Sequence, residues 1–103
     1  MAVRFSDDQV VQATGASCAR SGPRSSYPAI CTDTRQLTPG CLFVALKGER
    51  YDAHRFLPDA VKNGAAALVV QRGHGGTVPD GCAVFEVADT LVALGALGRF
   101  HRD

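Results

Sequence analysis

Cys41-Leu42-Phe43-Val44-Ala45-Leu46, then Pro58 on to Asn63-Gly64, then Ala66-Ala67-Leu68-Val69-Val70-Gln71: this run decides the fold. Both outer pieces are continuous apolar runs of strand length. Such runs suit strands covered on both faces, since a half-exposed strand would alternate. Between them, Pro58 fits the first turn of a short helix. That helix is expected to end near Asn63, with Gly64 as its left-handed stop. Strand, short helix, strand with joints this brief predicts a right-handed parallel crossover.

Toward the N-terminus, Thr38-Pro39-Gly40 is a turn signal that feeds the first of these strands. Residues 27–32 read as a further strand. Ser21-Gly22-Pro23-Arg24-Ser25-Ser26 is turn-rich and separates two short extended pieces. Ser6-Asp7-Asp8-Gln9 reads as a capping box, with Ser6 capping and Gln9 reaching back. Phe5 and Val10 stand where a hydrophobic staple needs them, and Asp7 and Asp8 complement the positive end of the helix dipole. The helix is expected over residues 7–14, stopping at Gly15.

Toward the C-terminus, 73–81 is a Gly/Pro/Asp-rich loop and 83–87 reads as a strand. Asp89 can cap a final helix in which Leu91, Leu94 and Leu97 recur at helical spacing and are expected to pack in the core. The expectation is a single small α/β domain, residues 1–103. It has a mixed sheet of about four to five strands, a βαβ crossover and helices packed on the sheet.

Composition excludes several classes. The formal net charge of +1 gives no concentrated positive field, so neither nucleic acid nor a membrane surface is an expected partner. No apolar run approaches a membrane span, and residues 1–8 lack the basic-then-apolar order of a signal peptide. A cytoplasmic, monomeric protein is expected. Cys18, Cys31, Cys41 and Cys82 include no C-x-x-C pair, and the histidines complete no zinc pattern, so no metal site is expected and the cysteines read as reduced thiols.

Two polar segments follow directly on apolar strand residues: Thr32-Asp33-Thr34-Arg35, and Gly48-Glu49-Arg50-Tyr51-Asp52-Ala53-His54. Strand ends of an α/β layer are where ligands usually bind. Thr32 and Thr34 can donate and accept hydrogen bonds in tight quarters. Arg35 and Arg50 can grip phosphate oxygens with paired donors. Tyr51 can stack on a flat ring. Together these suit a ligand with a planar polar base and a diphosphate. Plainer roles remain open. Asp33 and Arg35 can form an ion pair that pins their loop, and Thr32 and Thr34 can satisfy strand-end backbone groups. Asp52 can cap a helix, and His54 can be a hydrogen-bonded structural histidine. The sequence has no G-x-x-x-x-G-K-[ST] loop, no G-x-S-x-G elbow and no H-E-x-x-H, and it offers no convincing nucleophile–base pair. A thiol enzyme using Cys31 or Cys41 is a remaining rival.

The stretch Thr32-Asp33-Thr34-Arg35, with Thr38-Pro39-Gly40 and the run from Cys41 to His54, resembles the opening domain of the Mur ligases. Ala60 with Gly64-Ala65-Ala66, and Val87-Ala88-Asp89-Thr90 stepping into a helix with Leu94, extend the likeness over roughly residues 28–102. Within the family, T-D-T-R and D-A-H look like the branch that joins D-alanyl-D-alanine to UDP-N-acetylmuramoyl-tripeptide.

The resemblance implies a three-domain enzyme whose first domain holds the UDP end of a peptidoglycan precursor. ATP and magnesium would bind a central domain, a third domain would help bind the incoming amine, and both would be absent from this chain. Chemistry would pass through an acyl-phosphate. By the same resemblance Thr32, Thr34, Arg35, Glu49, Arg50 and Tyr51 contact the UDP moiety, while Asp33, Asp52 and His54 shape the pocket. No catalytic residue and no cofactor are expected in the chain itself, which should bind and not ligate. The rivals from outside this reading are a free-standing nucleotide-sugar-binding or regulatory module and the first domain of the tripeptide-forming Mur ligase.

Overall fold

A computed structural model describes residues 5–20, 22, 26–33, 37–46, 53–72 and 82–102, with the backbone alone at 5, 19, 20, 53, 54 and 100–102. In chain order the elements are β1 (Phe5–Ser6), α1 (Asp7–Thr14), β2 (Ser17–Arg20), β3 (Ser26–Tyr27), β4 (Ile30–Cys31), β5 (Leu42–Val44), a 3-10 turn (Ala53–Phe56), α2 (Leu57–Lys62), β6 (Ala67–Gln71), β7 (Ala83–Val87) and α3 (Thr90–Arg102).

The main sheet has five strands in the order β2-β7-β6-β5-β4. Its last four are parallel to one another, and β2 runs antiparallel to β7 along one edge. The mixed sheet and the β5–α2–β6 crossover expected from the sequence are therefore present. Alternate residues serve opposite faces, as the strand pleat requires. Leu42, Val44, Ala67, Val69, Ala83, Phe85 and Val87 join Val10, Ala93 and Leu97 on the face that carries α1 and α3. Phe43, Leu68, Val70 and Val84 join Leu57 and Ala60 on the face that carries α2. Both faces are covered, which is why β5 and β6 read as unbroken apolar runs.

Helix ends follow their local chemistry. Ser6 and Gln9 form the capping box, with bonds of 3.2 Å from the Gln9 amide to Ser6 Oγ and 2.9 Å from the Ser6 amide to Gln9 Oε1. Gly15 closes α1 at φ 71° and donates its amide to the Val11 carbonyl. Asn63 is the C-cap of α2 and Gly64 follows at φ 113°, a conformation that a side chain would strain. Asp89 accepts at Oδ1 from the Leu91 amide at 2.9 Å and caps α3. The proposed staple partner Phe5 lies outside the described side chains.

Two expectations need correction. Residues 27–32 do not form one strand. Ser26–Tyr27 pairs with Phe5–Ser6 in a separate antiparallel ribbon, while Ile30–Cys31 joins the main sheet beside β5. The break falls at Pro28, which has no N–H to carry a ladder forward. Tyr27 is instead a core residue. Its ring meets Phe85 edge-on at 6.4 Å, and its hydroxyl donates to Asp7 Oδ1 at 2.5 Å. Burial, and then Asp7, push its phenol well above the ordinary tyrosine range.

The second correction concerns α3. Leu97 is fully buried and Leu94 packs against the core, but Leu91 is 61% exposed. A three-residue step on a helix turning about 100° per residue drifts backward by about 60° each time. Leu91 therefore leaves the arc that Thr90, Ala93 and Leu97 bury.

Candidate functional site

Four parallel strands point their carboxyl ends toward one edge of the sheet. The register sets how their ends line up. Cys31 pairs with Phe43, and Val44 pairs with Val69, so Thr32 stands level with Val44 and Val69. Beyond that level, β4 continues into Asp33, β5 into Ala45 and Leu46, β6 through Gln71 to Arg72, and β7 into Ala88 and Asp89. Adjacent strands are about 4.8 Å apart, so the segments leaving β4 and β5 start as immediate neighbours. This edge is where α/β sheets present ligand-binding groups.

Of the residues expected to bind the nucleotide, Thr32 is described, and it is half-buried at the end of β4. Asp33 follows it, also half-buried and engaged in an interaction of its own. Thr34, Arg35, Glu49, Arg50, Tyr51 and Asp52 lie outside the described residues. His54 falls in the 3-10 turn, where the backbone alone is described. The N-cap of α2 is Phe56, which makes no side-chain capping bond.

The 3-10 turn and the start of α2 lie toward the same edge. α2 returns the chain to the start of β6, and its far end sits beside the turn before β5, where the Gly40 amide donates to the Gly64 carbonyl at 2.7 Å. Arg55 in that turn is exposed and stacks over the Phe56 ring at 5.9 Å. Arg72 is exposed at the end of β6 and lies outside every motif, so nothing in the sequence marks it. What reveals it is strand order, because β6 adjoins β5.

On the other face, α1 and α3 flank the end of β7. They leave a groove of about 470 Å³ lined by Ala13, Val87, Asp89, Val92, Ala96 and Arg99 among others. Its polar groups are few, and Asp89 is already spent on the α3 cap.

The thiols differ in their surroundings. Cys41 is buried and its thiol is pushed up to about 12, first by burial and then by its neighbour Cys31. Cys82 is buried, Cys31 half-buried and Cys18 exposed. Among the described residues no three of His, Cys, Asp and Glu gather as metal ligands, and no helix is long and apolar enough to cross a membrane.

Comparison with known proteins gives these features a context. The Mur ligase family, catalytic domain, matches residues 26–99. The UDP-N-acetylmuramoyl-tripeptide–D-alanyl-D-alanine ligase of Escherichia coli K12 is 51% identical over 81 residues, which is 79% of this chain and 17% of that protein. The enzyme of the same name from Synechocystis is 54% identical over 67 residues, covering 62% of this chain and 14% of the relative. A crystal structure of MurF from Acinetobacter baumannii superposes with a TM-score of 0.81 at 36% identity, covering 95% of this chain and 21% of that one. The chain thus spans less than a quarter of the length of the relatives it matches. A family match running from β3 nearly to the end of α3, with the same fold in a solved relative, leaves one assignment: the chain belongs to the Mur ligase family.

Proposed function

We propose that this chain is the domain that anchors the UDP end of the substrate in an ATP-dependent ligase joining D-alanyl-D-alanine to UDP-N-acetylmuramoyl-tripeptide. The observation that carries the reading is the 51% identity over 81 residues to an enzyme of that name. A stretch that long in a 103-residue chain takes in both polar segments. The register supports it, since those segments leave neighbouring parallel strands at one edge.

In this reading Thr32 and Thr34 hold the uridine part, and Arg35, Glu49, Arg50 and Tyr51 complete the grip on the UDP moiety. Asp33, Asp52 and His54 shape the loops. The chain has no G-x-x-x-x-G-K-[ST] loop, so the ATP and magnesium step falls to other parts of such an enzyme. The anchor's contribution is positional. Binding energy collected at the UDP end holds the distant carboxylate where the acyl-phosphate forms.

Titration of the chain with UDP-N-acetylmuramoyl-tripeptide, UDP and UMP, followed by amide chemical shifts, tests the reading. Shifts should concentrate at residues 32–35 and 49–51. Shifts confined to residues 73–81 would overturn the site. Thr34→Val should weaken binding, because it removes a hydroxyl at nearly constant volume.

A further inference from the structure

We infer that Arg72 is a further phosphate-gripping residue of this edge and reads the diphosphate of a nucleoside diphosphate whose nucleoside sits over the ends of β4 and β5; the inference rests on the nucleotide-anchoring reading above.

The placement follows from register. Val69 is level with Val44 and with Thr32. Arg72 comes three residues later, so its Cα stands about 10 Å beyond that level, and it is about 10 Å across from β4 at two strand spacings. Along the same direction Leu46 is level with Gln71, one strand spacing away. Arg72 therefore flanks the point where the chain leaves β5.

Its backbone position is also set. The Arg72 amide donates to the Val87 carbonyl at 2.8 Å, a bond that closes the Gln71–Val87 pair and holds the Arg72 backbone at the end of β6. Val70 faces α2. The pleat then turns Gln71 to the α1/α3 face, and Arg72 is the turn residue next to it.

The chemistry fits a diphosphate. Arg72 is exposed, and its guanidinium forms no ion pair with a described carboxylate. A guanidinium offers paired donors to two phosphate oxygens. The two offsets together put the Arg72 Cα about 12 Å from a nucleoside over the ends of β4 and β5, a span that a diphosphate and an extended arginine side chain cover together.

The test compares uridine, UMP and UDP as calorimetric ligands of the wild-type chain, Arg72→Gln, Arg72→Lys and Lys62→Gln. Lys62 is an exposed cation at the far end of α2, at the opposite edge of the sheet. Arg72→Gln should lose about tenfold or more in UDP affinity while uridine binding stays within about twofold. Arg72→Lys should recover part of the loss, and Lys62→Gln should change nothing. Unaltered UDP affinity in Arg72→Gln overturns this inference and leaves the nucleotide reading standing. An equal loss in Lys62→Gln also overturns it, by showing a diffuse charge effect. A wild-type chain that binds none of the three ligands ends both.

Discussion

One substitution, glycine to alanine, should act with opposite sign at two places in this chain. At Gly22 an added Cβ would lie 2.5 Å from the Ala83 amide nitrogen, 3.0 Å from the Cys82 carbonyl carbon and 3.2 Å from the Ala83 Cα. Ordinary carbon contacts sit at about 3.5–4.0 Å. All three neighbours are backbone, and no rotamer can move them aside. The Ala83 amide also donates to the Ala66 carbonyl at 3.1 Å, so displacing it disturbs the entry of β7 into the sheet. The cost belongs at the upper end of overpacking, about 2–3 kcal/mol.

At Gly98, inside α3 and exposed, an added Cβ meets nothing within 4 Å. Alanine there restricts the unfolded chain and favours the helix by about 1 kcal/mol. The two variants should therefore differ by about 3–4 kcal/mol. With a urea slope of about 1 kcal/mol/M for a chain of this size, their unfolding midpoints should separate by about 3 M, on opposite sides of wild type. Circular dichroism at 222 nm through a urea series reads this directly. A Gly22→Ala midpoint within about 0.3 M of wild type would refute the close approach of the chain at residue 22 to the start of β7. A lowered midpoint for Gly98→Ala would show that the outer face of α3 is not open.

Thr90→Val should stabilise the chain by about 1 kcal/mol, because Thr90 is fully buried with its hydroxyl unpartnered, and an apolar isostere removes that desolvation cost; a lower thermal midpoint for the variant would show that the hydroxyl has a partner after all. For Tyr27, the folded phenol titrates above its ordinary value of 10.0, so its stabilising contribution is complete below that pH and is lost as pH rises past it. Wild-type stability should thus fall above about pH 10 while absorbance at 295 nm shows Tyr27 still protonated; an identical alkaline fall in Tyr27→Phe would remove Tyr27 as its source.

The elements most legible in the sequence are those whose determinants are local. Ser6 and Gln9 fix the start of α1 within one turn, Gly15 fixes its end, and Asp89 fixes the start of α3. The β5–α2–β6 unit is legible for a different reason, since only strands buried on both faces leave apolar runs like 41–46 and 66–71. What depends on distant partners is not legible. The β1–β3 ribbon has two residues on each side and pairs Phe5 with Tyr27. Nothing as short as that carries an alternation. Leu91 has the composition of a core residue, and its exposure is fixed by the angular arc that α1 and the sheet happen to cover.

The same contrast explains why part of the candidate edge was visible and part was not. Thr32-Asp33-Thr34-Arg35 and the segment after β5 interrupt apolar strands with clustered polar groups, and that interruption is readable in one dimension. Arg72 also ends an apolar strand, but it is followed by Gly73 in a loop-like composition and stands alone. Its relevance comes from β6 lying between β5 and β7, a fact of sheet order. Within the strands nearly every side chain is committed to one of two cores, so Leu68 or Val69 cannot change without opening a cavity. Thr32 and Arg72, just past the ends of β4 and β6, belong to neither core and sit on a rigid base. Substitutions at Thr32 or Arg72 should therefore alter binding with little effect on stability, whereas substitutions in the β5 and β6 cores should do the reverse.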